Sequence, residues 1–167
     1  LCSELDSFQG VLFSSSYDYP GRYSRWDLGF AAPPVRISTS GRKVTCLALN
    51  ARGEILLQVL HQALCDNPDF YEMQKPGDVL SFRVHEPAPL LFEEDRTRAR
   101  SVFSALRIIL DLFASPEDDY LGLYGAFGYE LAFQFEAIKL RMQREPQARD
   151  MVLYLPDSIL VVDHKRE

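Results

Sequence analysis

Positive charge is in short supply: 18 Lys and Arg stand against 24 Asp and Glu, a net charge of −6. That balance excludes a general nucleic-acid binder, which needs a basic footprint for phosphates. Cysteine is scarce as well. Cys2, Cys46 and Cys65 are an odd number at wide intervals. No pair has metal-ligand spacing, and nothing reads as a disulfide framework, so a reducing cytoplasm is the expected compartment. Long apolar runs are missing, which argues against a membrane-spanning helix. The opening Leu-Cys-Ser-Glu-Leu-Asp lacks the basic start and apolar core of a signal peptide. There is no internal repeat, no low-complexity tract and no linker long enough to separate a second domain. The 167 residues suffice for one domain with a real core.

What is present is a crowded hairpin. Gly10-Val11-Leu12-Phe13 opens as an apolar strand and runs into Ser14, Ser15 and Ser16. It turns at Pro20-Gly21 and continues Arg22-Tyr23-Ser24-Arg25-Trp26-Asp27. Hydroxyls, two guanidiniums, rings and carboxylates in one short stretch can hold a small aromatic zwitterion. The rings take its apolar part, Arg and Ser its carboxylate, and an acid its ammonium. The plainer reading is a Ser-rich turn that satisfies its own backbone, with arginines paired to Asp18 or Asp27 at the surface.

Alternation and turn residues predict strands over Val11 to Ser15, Tyr23 to Phe30, Val35 to Thr39, Val44 to Leu49 and Val79 to Val84. Further strands are expected over Tyr120 to Tyr124, Met151 to Leu155 and Ile159 to Asp163, the last two across a Pro156-Asp157 turn. Ile55, Leu56, Val59, Leu60 and Leu64 fit a helix stopped by Asp66-Asn67-Pro68. Val102, Phe103, Leu106, Ile109, Leu110 and Phe113 form the apolar stripe of a second. Glu93-Glu94-Asp95 is placed at that helix's N-terminus, where the macrodipole favours carboxylates. Gly125 to Phe135 is read as turning into a helix. The expected class is α+β: antiparallel, sandwich-like sheets with helices packed outside.

Other clusters carry less chemistry. Gly122, Gly125 and Gly128 match neither dinucleotide nor P-loop spacing, and close backbone packing is the better account. His61 and Cys65 sit four apart on a helix, but a metal site needs further ligands and none is near. His85 and His164 have no recognisable nucleophile partner. Tyr129, Phe133 and Phe135 are read as core.

Four blocks in order resemble the N-terminal region of the large subunit (component I) of anthranilate synthase, most closely its long single-chain form fused to a glutamine amidotransferase. They are Gly10 to Asp27, Leu121 to Glu136, Arg149 to Asp157 and Ile159 to His164. The resemblance implies that residues 1–167 are an N-terminal regulatory and structural domain, with the catalytic chorismate-binding domain and its Mg²⁺ residues elsewhere. The parent would convert chorismate and ammonia from glutamine into anthranilate and pyruvate, the first step of tryptophan biosynthesis. The chain itself would carry no catalytic residue, no cofactor and no metal. It would contribute to a tryptophan feedback site and supply strands to a sandwich that the catalytic domain completes. In many relatives the first strand ends Leu-Leu-Glu-Ser, and its Glu and Ser line the inhibitor pocket. Here Leu12, Phe13, Ser14 and Ser15 match, so Ser15 is kept and Ser14 replaces the Glu. A basic residue for the inhibitor's carboxylate falls on Arg25 by ungapped alignment or on Arg22 by the Arg-Tyr-Ser pattern. The start at Leu1 and the stop just after a strand-like run fit a piece cut from a longer protein. Aminodeoxychorismate or aminodeoxyisochorismate synthesis, and a free-standing amino-acid sensor, are the alternatives.

Overall fold

The computed structural model describes residues 1–14, 26–87, 99–135, 141, 145 and 148–164. Two antiparallel sheets and a few helices make up this part of the chain, the α+β class expected. Chain order begins with helix α1 (Cys2–Leu5), strands β1 (Gly10–Phe13), β2 (Trp26–Ala31), β3 (Val35–Ser40) and β4 (Lys43–Ala48), and helix α2 (Ala51–Leu64). Next come β5 (Phe70–Gln74), β6 (Val79–Val84), helix α3 (Val102–Phe113), β7 (Tyr124–Phe127), a 3₁₀ helix (Tyr129–Gln134), β8 (Met151–Leu155) and β9 (Leu160–Asp163).

The larger sheet has the order β5-β6-β4-β3-β8-β7. Alternation assigns its faces. Val35, Ile37 and Thr39 of β3, Val44, Cys46 and Ala48 of β4, Leu80, Phe82 and Val84 of β6, and Met151, Leu153 and Leu155 of β8 are all buried. Against this face lie α2, through Leu57, Leu60 and Leu64, and α3, through Val102, Ala105, Leu106 and Ile109. Each such leucine or isoleucine contributes about 1.5–3 kcal/mol by leaving water. Burial also holds the Cys46 thiol protonated, its pKa pushed up to about 12.

The buried stripe of α2 is Gly53, Leu57, Leu60 and Leu64; of the five residues expected, Leu60 and Leu64 are buried and Leu56 packs partly against the core, while Ile55 and Val59 face outward. Ile55 is 64% exposed and Val59 37%. Gly53 sets this rotation: a Cβ there would lie 2.1 Å from the Pro34 carbonyl oxygen. Only glycine lets the first turn come so close to the β3 approach. Asn50 caps the helix, its side-chain oxygen accepting from Gly53 N at 3.1 Å.

Other expectations need correction. The first turn of α3 holds no acid: the helix begins at Val102 after Ser101, well past Glu93-Glu94-Asp95, which lie outside the described residues. Leu110 of its expected stripe is 44% exposed. Residues 120–123 form no strand: the Asp118 carboxylate accepts from Tyr120 N at 2.9 Å, folding the backbone into a turn at 119–120 and away from strand pairing. The strand runs instead over Tyr124–Phe127, and the helix after it is confined to one 3₁₀ segment. Tyr129, expected in the core, is 88% exposed. Gly125 does serve close packing, since a Cβ there would stand 2.1 Å from Val152 O across the β7–β8 ladder.

The smaller sheet has the order β1-β2-β9. Although β8 and β9 are consecutive, they are not a hairpin: β8 pairs with β3 and β7, and β9 pairs with β2. The chain changes layers at Pro156. The layers meet through Phe30, buried edge-on against Tyr124 (5.9 Å between ring centres) and Tyr154 (6.0 Å).

Candidate ligand-binding site

The hairpin expected from sequence has its base where predicted. β1 and β2 pair antiparallel with Phe13 opposite Leu28 and Gly10 opposite Ala31. Ser14 follows β1 directly and is exposed. Ser15, Arg22 and Arg25 lie outside the described residues, as does the Pro20-Gly21 turn. The base itself gathers several groups. β2 opens with Trp26 and Asp27, and β9 ends with Asp163 followed by His164. Trp26 faces Asp163 across the ladder, and Asp27 faces Val162.

The period of two sorts these residues. Phe13, Trp26, Leu28, Phe30, Val161 and Asp163 share the face turned toward the larger sheet. Leu12, Asp27, Val162 and His164 belong to the other. On the first face Phe13 and Trp26 are 42% and 43% exposed, so ring surface remains open beside a carboxylate. Phe13 also reaches the Tyr124 ring at 6.4 Å. The Tyr124 hydroxyl donates to Tyr120 O. Burial first, then the Asp118 carboxylate and Tyr120, raise the pKa of this phenol, so it stays a neutral donor. On the second face His164 Nε2 lies 2.9 Å from Asp27 Oδ2.

Open rings beside a carboxylate are the kind of groups that meet an aromatic ammonium compound. A recess of about 160 Å³ lined by Asp118, Tyr120, Leu121, Val161 and the Pro156–Ile159 crossover abuts the first face. It is smaller than the roughly 300 Å³ at which small-molecule pockets begin. Sequence reasoning included Trp26 and Asp27 but missed Asp163 and His164, because β2–β9 pairing joins residues 137 apart with no local signal.

Among the described residues no three or more His, Cys, Asp or Glu side chains could hold a metal ion. Cys65 Sγ instead donates to the Gln62 carbonyl at 3.6 Å, within its own helix end. His85 stacks on Tyr71 with ring centres 4.4 Å apart. No helix among the described residues is long and apolar enough to cross a membrane.

A two-sheet α+β unit with an aromatic, acid-flanked hairpin is the class these features define. No family model matches the chain. It is 46% identical over 95% of its length to "Anthranilate synthase" of Azospirillum brasilense, covering 22% of that protein. It is 34% identical to "Anthranilate synthase component 1" of Vibrio cholerae and 31% identical to the Escherichia coli protein of that name. Both matches cover 80% of this chain and 25% of the relative. The chain belongs to the anthranilate synthase component 1 family and spans about a quarter of the length of these relatives.

Proposed function

We infer that this chain is the N-terminal, feedback-sensing portion of an anthranilate synthase. The whole protein would make anthranilate and pyruvate from chorismate and the ammonia of glutamine. The single observation carrying this reading is the 46% identity that extends over 95% of the chain. Reacting groups would come from the remainder of the polypeptide. The described residues do not fit a Mg²⁺ site.

The role of this portion is to bind L-tryptophan as inhibitor. Ser14 and Ser15, with Arg22 or Arg25, would hold the inhibitor's polar end, while the open rings of Phe13 and Trp26 would flank it. The replacement of a family Glu by Ser14 leaves the ammonium to another acid. Asp163, opposite Trp26 across the β2–β9 ladder, is a candidate for that role. The partner reading is a glutamine amidotransferase, fused to the same polypeptide. The Azospirillum relative supports fusion: the longer match of 159 residues fills only 22% of it, against 25% for 135 residues in the component 1 proteins. That relative is therefore the longer protein.

The test is to express the full reading frame that contains this chain and follow anthranilate fluorescence with chorismate, glutamine and Mg²⁺. Turnover inhibited by tryptophan is expected. Absence of anthranilate with an aminated chorismate released instead would refute the reading. The 167-residue chain alone should produce none, and calorimetric titration with tryptophan should show weak or no binding because the pocket is incomplete.

A further inference from the structure

Two strands of the small sheet have the sequence of strands buried on both faces, yet one of those faces is open. A half-solvated antiparallel strand alternates apolar and polar residues, whereas Gly10-Val11-Leu12-Phe13 of β1 and Leu160-Val161-Val162 of β9 are apolar without a break. Phe13, Leu28, Phe30 and Val161 face the larger sheet. The opposite face carries Leu12 of β1, Asp27, Gly29 and Ala31 of β2, and Leu160 and Val162 of β9. Its one polar strand residue, Asp27, meets His164 at 2.9 Å. Its large residues stand open: Leu12 is 43% exposed, Leu160 55% and Val162 40%. Helix α1 covers one end only, with Leu1 resting over Gly29 and Leu5 over Gly10. Beside it runs an open groove of about 280 Å³, lined in part by Glu4, Phe8, Ala31 and Leu160.

We propose that a helix from the rest of the synthase polypeptide lies on this face beside α1, its apolar stripe over Leu12, Leu160 and Val162. The proposal rests on the reading above that the chain is part of a longer polypeptide. Three observations choose this occupant. The chain fills only 22% and 25% of its relatives, so most of the polypeptide remains to supply a covering element, and a tethered element meets the face at high effective concentration. Helices already cover the core face of the larger sheet and the near end of this one, so another helix continues the layering. Acids mark both ends of the face, Glu4 at the groove and Asp27 at the start of β2. A second copy of this chain, with a net charge of −6, would bring like charge to them, whereas a helix with Lys or Arg beside its apolar stripe brings the opposite charge. The face is the outer one, turned away from the larger sheet and from the rings and carboxylate of the candidate ligand site.

The experiment uses the product of the full reading frame, carrying Leu160→Cys or Val162→Cys. A thiol reagent is applied at neutral pH, and modification at the new cysteine is followed by peptide mass mapping. Each cysteine should label at least about tenfold more slowly in the native protein than in the denatured one, at high and at low protein concentration alike. Faster labelling, as the openness of both residues in this chain alone implies, would overturn the proposal. So would protection that fades on dilution, which marks a second copy as the occupant. Val162→Lys gives a second readout: it should lower the melting temperature of the full-length protein by about 3 °C or more, and a smaller drop counts against a covered face. Should that variant fail to fold, the near-isosteric cysteines decide. Neither readout uses anthranilate formation. Slow labelling in a protein that makes no anthranilate keeps the covered face and fails the functional reading, and fast labelling in an active synthase does the reverse.

Discussion

The carboxylate of Asp27 meets the imidazole of His164 at 2.9 Å, joining the first residues of β2 to the end of β9 across 137 positions of sequence. Both stand at the base of the hairpin and hold the outer strand of the small sheet against its centre.

This pair is partly open to water, so its worth is modest. Asp27→Ala and His164→Ala, measured singly and together by urea unfolding, should give a coupling energy of about 0.2–1 kcal/mol. Raising the salt concentration should reduce it further.

Cys46 offers a cleaner titration. Its thiol is buried in the sheet face under the helices and has a pKa of about 12, against 9.0 for the free group. Cys2 and Cys65 are exposed. A thiol reagent at neutral pH should label those two quickly and the third only on unfolding. The same shift sets an alkaline limit. Below pH 9 both states keep the Cys46 proton and nothing is lost. Between about 9 and 12 the unfolded chain releases it while the folded chain does not, so stability falls as pH rises through that window. Cys46→Ala should flatten this part of the pH–stability curve.

Gly125 and Gly122 separate close packing from mere turn composition. A methyl at 125 would strike the Val152 carbonyl at 2.1 Å, whereas at 122 the nearest atom is 3.9 Å away. Gly125→Ala should cost about 2 kcal/mol or more, through distortion of the β7–β8 ladder. Gly122→Ala should stay within about 0.5 kcal/mol. Thermal melts of the two variants check the contrast.

Ser15→Ala in the full-length synthase should raise the tryptophan concentration for half-inhibition about fivefold, the equivalent of roughly 1 kcal/mol for one hydrogen bond. Turnover without tryptophan should be unchanged. An identical inhibition curve would remove Ser15 from the site. Arg22→Ala and Arg25→Ala, compared in the same assay, decide which guanidinium meets the inhibitor's carboxylate, the larger loss marking the contact.

Much of the fold was legible because local rules agree with the tertiary result. The alternation in Val35 to Thr39 and Val44 to Leu49 predicts two strands, and the structure places both near those bounds. The helix stop at Asp66-Asn67-Pro68 was equally readable, since α2 ends at Leu64. Failures occurred where a tertiary contact outweighed a local pattern. The close approach of Gly53 to Pro34 brings Leu57 into the buried stripe of α2 and leaves Ile55 and Val59 outside it, and the Asp118 turn delays β7. Met151 to Leu155 and Ile159 to Asp163 read locally as two strands across a Pro156-Asp157 turn, yet their pairing partners lie elsewhere in the chain. Of the residues expected to bind a ligand, Ser14 is exposed at the end of β1, while Ser15, Arg22 and Arg25 lie outside the described residues. Asp163 and His164 reach the base of the hairpin only through β2–β9 pairing, which no local pattern announces.

The layer change at Pro156 has a mechanical corollary. A single crossover of four residues, Pro156 to Ile159, is the covalent bridge from a central strand of the large sheet to the outer strand beneath the hairpin. Arg52 on α2 grips it through Asp157. Any displacement of β9 is therefore transmitted through four residues to β8 and, by way of Asp157, to the start of α2.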